Sequence, residues 1–195
     1  MKQRRIPSFL HDIFGERQSI GMIAAILLFG GLLTVALYSA YPELGDNVPL
    51  WRSVLALLLM FDIFAGCAAN FTASTSNYYA ARKKNRIVFI AIHVHIILVA
   101  LLLHTDIWYS IGVWGYTIGG AFIVNALHSK QSQRFVAGLL LSAGLGCIPL
   151  LPDIQPYMLI ACLLFMLKVL FSFAVDHYGR VNSDASNICD AGEQA

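Results

Sequence analysis

Charged residues are scarce in this chain. Asp, Glu, Lys and Arg together make up 12% of its 195 residues, whereas a soluble domain usually carries about 25%. Apolar residues make up 58%. This imbalance excludes an ordinary soluble domain and indicates a polytopic membrane protein, whose first partner is the lipid bilayer.

The motifs of several common functional classes are absent. The four cysteines form no Cys-x-x-Cys pair and no spacing with histidine that a zinc module would need. The sequence also lacks the H-E-x-x-H, G-x-S-x-G and P-loop motifs of familiar enzymes. The net charge is only +2, and the basic residues lie at helix ends, so we expect no nucleic-acid partner.

Long apolar runs dominate what remains. Six stretches approach the length of about 20 residues that a spanning helix needs. They cover residues 18–40, 51–74, 87–104, 107–127, 134–151 and 157–176. The sequence therefore predicts an all-α integral membrane protein, a bundle of six transmembrane helices.

The two ends of the chain are more polar. Ile6, Phe9, Leu10, Ile13 and Phe14 recur at helical spacing between basic residues, which predicts an amphipathic helix lying on the membrane surface. We therefore divide the chain into an amphipathic arm (1–17), a six-helix transmembrane domain (18–178) and a polar, disordered tail (179–195).

Basic residues alternate between the two sides of this bundle. Lys and Arg cluster in 2–17, 82–86, 130–134 and at 180, and the intervening connections 41–50, 104–107 and 151–156 contain none. The positive-inside rule then places both termini in the cytoplasm. We expect the protein in the plasma membrane, which is the inner membrane of a bacterium.

Polar side chains recur along one face of three of the predicted helices. They include Asp62 and Asn70 on the second helix, Asn125 and His128 on the fourth, and Lys168 on the sixth. Polar groups are costly in hydrocarbon, so these faces should point into the bundle or a water-filled cavity. Each is a candidate for function.

Some of these residues are expected at the same depth in the membrane. At about 1.5 Å per residue, Asp62 and Lys168 each lie roughly 16 to 18 Å below the outer boundary of a 30 Å core. His95 on the third helix reaches about the same level. We expect Asp62 and Lys168 to meet, either in a proton relay or solute site with His95, or in an ion pair that only joins two helices.

The histidines do not have the arrangement that a metal or haem site needs. His93 and His95 are two residues apart, which is about 200° around a helix, so we expect only one of them to face a given cavity. His128 lies at the cytoplasmic rim, at a different depth. Because the possible ligands lie at mismatched levels, we expect no metal site and no cofactor.

We predict that the protein binds or transports a small solute, a proton or a lipid at an intramembrane polar site open to the cytoplasm. The candidate binding residues are Asp62, Asn70, His93, His95, Asn125, His128 and Lys168. Against transport, the sequence shows no duplicated half and no clearly broken helix.

Other functional interpretations of the same residues remain open. One alternative is an enzyme acting on a lipid-like substrate, with Asp62 or His93 as general base and Asn70 or Ser74 as polar contacts. Another is an assembly or regulatory subunit whose polar residues only specify packing. The polar patch 70–77 beside the basic loop 82–86 also suits a lipid head group, or is an ordinary polar helix end.

Overall fold

The computed structural model describes residues 3–46, 48–128 and 130–179. In this part of the chain six helices are long and apolar enough to cross a membrane, and we call them the first to sixth spans. They cover Ile20–Ala40, Leu50–Asn70, Lys83–Leu103, Ile107–Ala126, Gln133–Leu150 and Pro156–Phe173. The predicted number of helices is confirmed, and the bounds differ from those expected by at most four residues.

The N-terminal segment is a hairpin instead of the single amphipathic helix that we expected. Strands Gln3–Arg5 and Arg17–Ser19 pair antiparallel. Between them lie a 3-10 turn, Ser8–Leu10, and a four-residue helix, His11–Phe14. The prediction is wrong because Pro7 is extended (φ −56°, ψ 145°) and Gly15 has a φ of 70°, so neither residue continues a helix. The predicted disordered tail, apart from Gly179, lies outside the described residues.

The second span occupies the centre of the bundle. It packs against the first span, against the C-terminal half of the third span, His95–Leu103, and against the sixth span. Close contact with the first span depends on Gly30, since a Cβ there would lie 2.8 Å from the Cβ of Ala65. The sixth span also contacts the fourth and fifth spans, so its polar residues are held inside the bundle.

The third and sixth spans depart from regular α-helix, in addition to the short 3-10 turn Ile148–Leu150 that ends the fifth span, although no clearly broken helix was expected from the sequence. The third span consists of the helices Lys83–Ile92 and His95–Leu103, with a break between them. The sixth span begins as the α-helix Pro156–Met166 and continues as the π-helix Leu167–Phe173. Such π segments are rare and occur most often at functional sites.

The second span ends earlier than expected. Its helix stops at Asn70, and a separate helix, Ala73–Ala80, follows at the rim of the bundle. Thr72 begins this rim helix, because its hydroxyl oxygen accepts a hydrogen bond from the backbone N–H of Thr75 at 3.4 Å. The polar face predicted for the second helix therefore stops at Asn70.

Candidate functional site

A pocket of about 490 Å³ lies between the second span and the N-terminal half of the third span, Lys83–Ile92. The C-terminal half of the third span packs on the second span, whereas the N-terminal half contacts the fourth span and the rim helix. The divergence begins at the break in the third span and leaves the pocket between the two helices. Of the seven predicted binding residues, five line it: Asp62, Asn70, His93, His95 and Lys168.

Asp62 and Lys168 form an ion pair at the end of this pocket that lies near the break in the third span, away from Lys84 and Asn85. Nζ of Lys168 donates to Oδ2 of Asp62 at 2.7 Å and lies 3.2 Å from the backbone oxygen of the same residue. The predicted contact between the second and sixth spans is confirmed. The two side chains differ in exposure: 3% for Lys168 and 50% for Asp62.

The packing around Lys168 depends on a glycine of the second span and on hydrogen bonds to the lysine carbonyl. A Cβ on Gly66 would lie 2.5 Å from Cε of Lys168, so the missing side chain at Gly66 leaves room for the lysine. The carbonyl of Lys168 accepts hydrogen bonds from Oγ of Ser172 at 2.9 Å and from Nδ2 of Asn70 at 3.4 Å. These bonds fix the start of the π-helix against the second span.

His93 and His95 both line the pocket, which corrects our expectation that only one of them could. Their rings are 5.0 Å apart and nearly perpendicular. The rule of 100° per residue fails here because the helix is interrupted between Ile92 and His95. The carbonyl of Phe89, which would accept the backbone N–H of His93 in a regular helix, is contacted by Nδ1 of the His93 ring at 2.5 Å. A carbonyl only accepts hydrogen bonds, so Nδ1 of His93 carries the proton.

His95 stands next to the ion pair. Its Nδ1 lies 3.6 Å from Oδ2 of Asp62, which is too long for a hydrogen bond. This nitrogen is buried and has no hydrogen-bond partner in the described part of the chain. A buried polar atom without a partner is uncommon, and a small rotation of the ring would bring this nitrogen within hydrogen-bond distance of Asp62.

The mouth of the pocket includes residues that sequence reasoning did not assign to it. Asp12 and Ile13 of the hairpin line it together with Lys84 and Asn85 of the third span. The hydroxyl of Tyr79 donates to the backbone oxygen of Asp12 at 3.1 Å, and burial, reinforced by the Asp12 carboxylate, raises the pKa of Tyr79. The sequence could not reveal these neighbours because the hairpin is distant from the third span along the chain.

His128 and Asn125 lie outside the pocket. Nδ1 of His128 accepts from the guanidinium of Arg86 at 3.2 Å, and Arg86 also donates to the carbonyl of Ala174 at 2.5 Å. Gln133 donates to that same carbonyl at 3.2 Å. Burial, and then the charge of Arg86, lowers the pKa of His128. These residues join the third, fourth, fifth and sixth spans at the rim. They come from distant parts of the sequence, so only the tertiary structure shows that they form one cluster.

Across the described residues, no group of three His, Cys, Asp or Glu side chains is arranged to hold a metal ion. The chain was also compared with known proteins. It matches no protein-family model, no curated protein and no solved structure.

Proposed function

We propose that this protein is an integral plasma-membrane protein that binds a small solute in the pocket around Asp62, His95 and Lys168 and exchanges protons with it, as a binding protein or transporter. Both termini lie in the cytoplasm in this proposal, and the pocket opens to that side past Lys84 and Asn85. The charge asymmetry of the loops supports this orientation.

One observation carries the proposal. An ion pair that only joins two helices holds them best when both charges are enclosed, because access of solvent weakens the attraction between the charges. Here the lysine is enclosed and half of the Asp62 side chain is exposed in the pocket. A carboxylate near the middle of a membrane that faces a cavity marks a solute or proton pathway.

The neighbouring imidazoles support proton exchange. Nδ1 of His95 lies 3.6 Å from Oδ2 of Asp62, so a small rotation of the ring would bring the two atoms within hydrogen-bond distance and let a proton pass between them. The ring of His93 follows at 5.0 Å from that of His95. Carboxylate and imidazole groups in series are the usual components of a proton relay in pumps and transporters.

The two alternative functions, a lipid-directed enzyme and an assembly or regulatory subunit, receive less support. Ser74, the polar contact expected for a lipid-directed enzyme, does not line the pocket around Asp62; its hydroxyl accepts a hydrogen bond from the backbone of Arg17 at 3.2 Å. Asn70 donates to the carbonyl of Lys168, which is a structural contact. A subunit whose polar residues only specify packing would not expose the carboxylate of Asp62.

Solute-evoked proton movement in vesicles tests the proposal. Purified protein is reconstituted into liposomes that enclose a pH-sensitive dye, and amino acids, organic acids, sugars and amines are added outside one class at a time. We expect one class to evoke a pH change that Asp62→Asn and His95→Gln abolish. Asn125→Ala, which alters a polar residue of the fourth span outside the pocket, serves as the control. Proton movement that survives Asp62→Asn would contradict the proposal.

A further inference from the structure

A second cavity, of about 430 Å³, lies between the hairpin and the rim helix. Its polar lining comes from both elements and from the connection to the third span: Gln3, Glu16, Arg17, Ser74, Asn77, Tyr78 and Arg82. This cavity is distinct from the pocket of the proposed function, and none of these seven side chains lines that pocket.

The cavity presents mainly hydrogen-bond donors. The guanidinium of Arg82 is held in place by the carbonyl of Tyr78 at 3.0 Å and by Glu16 at 2.8 Å, and it lies 4.0 Å from the centre of the Tyr78 ring. The side chains of Arg17 and Asn77 are exposed and make no hydrogen bond within the described ranges. Two arginines and an amide suit an anionic ligand that only accepts hydrogen bonds, and arginine matches phosphate geometry well.

The charge around the cavity favours an anion despite Glu16. Strand pairing places Arg5 opposite Arg17, and Arg4 is exposed on the same strand. Lys83 follows Arg82 directly in the chain. Basic residues clustered next to a membrane attract anionic lipids.

The position of the cavity indicates a lipid. Ser19 of the hairpin directly precedes the first span, and Arg82 directly precedes the third, so the cavity lies where two spans end, at the level of phospholipid head groups. Phe9 and Ile13 of the hairpin are 78% and 47% exposed. Exposed apolar side chains beside basic ones are typical of an element that rests in the membrane interface.

We infer that this cavity binds the phosphate head group of an anionic phospholipid, with Arg17, Arg82 and Asn77 as its hydrogen-bond donors. Arg17 and Arg82 supply charge and paired N–H donors, and the Asn77 amide supplies a neutral donor. The occupant fixes the hairpin to the bilayer at the point where the chain enters the first span.

Lipid retention by the full-length protein tests this inference. Phosphatidylglycerol or phosphatidylcholine is titrated into the purified protein in detergent at constant ionic strength, and bound lipid is counted by native mass spectrometry. We expect phosphatidylglycerol to bind more tightly, and Arg17→Gln to weaken it about fivefold, which is the equivalent of the ~1 kcal/mol expected of one basic side chain near an anionic lipid. Asn77→Leu should also weaken it. Lys130→Gln, an equal charge change at an exposed residue outside the cavity, should not.

Three results would overturn the inference. Equal affinity for the two lipids would show that charge is not recognised. Equal losses from Arg17→Gln and Lys130→Gln would mean that the cavity itself does not contribute. If inorganic phosphate alone raised the melting temperature as much as phosphatidylglycerol and displaced it, the ligand would be a soluble phosphate. Arg17 and Asn77 are exposed, so their variants should fold, and the melting temperature of each variant checks this.

Discussion

Lys168 and Asp62 share a 2.7 Å ion pair, but the lysine is enclosed by protein and the aspartate faces a pocket. Because of this difference in exposure, removing Asp62 and removing Lys168 should have unequal costs. An ammonium left without its partner stays almost fully buried, whereas a carboxylate left in the pocket can be hydrated or can approach His95. The ion pair is therefore both a helix contact and one wall of the pocket.

A double-mutant cycle measures this asymmetry. Breaking a buried ion pair typically costs roughly 3–5 kcal/mol, and we expect Asp62→Asn to lower the melting temperature in detergent more than Lys168→Met does. The double variant should recover part of the loss, because no unpaired charge then remains. Strictly additive losses would argue against coupling. Equal losses from the two single variants would contradict the difference in exposure.

Gly66 gives a second test of the same site. A Cβ at this position would displace the lysine side chain, because it would lie 2.5 Å from Cε and 2.9 Å from Nζ of Lys168. Gly66→Ala should therefore lower stability and reduce solute-evoked proton movement. Gly115→Ala is the matched control, since a Cβ at Gly115 meets no atom within 4 Å and alanine favours helix. If both variants behaved alike, the close packing of Lys168 against Gly66 would have no role.

Gly15 controls the attachment of the hairpin to the rim helix. Its φ of 70° is unfavourable for alanine, and a Cβ there would collide with Ser74. A strained backbone of this kind costs about 1–3 kcal/mol, so Gly15→Ala should open the hairpin about tenfold more often. Hydrogen-exchange mass spectrometry of residues 3–19 would detect faster exchange. Gly138→Ala, where a Cβ meets no atom, should leave exchange unchanged; unaltered exchange in Gly15→Ala would show that the collision is relieved locally.

His128 should make stability sensitive to acid. Burial and the charges of Arg86 and Lys83 lower its pKa in the folded protein, and Asp176 only partly opposes them. The unfolded histidine has a pKa of about 6.5, so the stabilisation is present above that pH and is lost as the pH falls below it. We expect His128→Gln, which keeps an acceptor for Arg86, to reduce the fall in melting temperature between about pH 7 and pH 5.

His177 contributes to the sensitivity that remains in that variant, because burial lowers its pKa as well. Similar melting temperatures of wild type and His128→Gln at alkaline pH would show that the fold is intact. An identical acid dependence in both proteins would contradict a role for His128.

Membrane orientation can be tested by reporter fusions. The distribution of Lys and Arg predicts that the loop 82–86 and the tail with Cys189 face the cytoplasm, and that Asp46 and Asp153 face outward. A reporter active only outside the cytoplasm should work after Asp153 and fail after Arg86. Activity after Arg86 would reverse the topology and move the mouth of the pocket to the outer side.

The sequence by itself determined the number of spans, their approximate ends and the level of the charged residues. These follow from the length of apolar runs and from the regular rise of a helix, both of which are local properties of the chain. The meeting of Asp62 with Lys168 was also predictable, because each lies on the polar face of its helix at the same depth.

Only the tertiary structure decided the shape of the site. Periodicity assumes an unbroken helix, so it wrongly separated His93 from His95; the break arises where the His93 ring contacts the Phe89 carbonyl. The hairpin likewise depends on non-local pairing of Gln3–Arg5 with Arg17–Ser19, which helical spacing does not show. Pockets form where helices diverge, and the divergence depends on contacts between residues far apart in sequence. No local pattern could therefore predict that Asp12 and Lys84 line the same pocket.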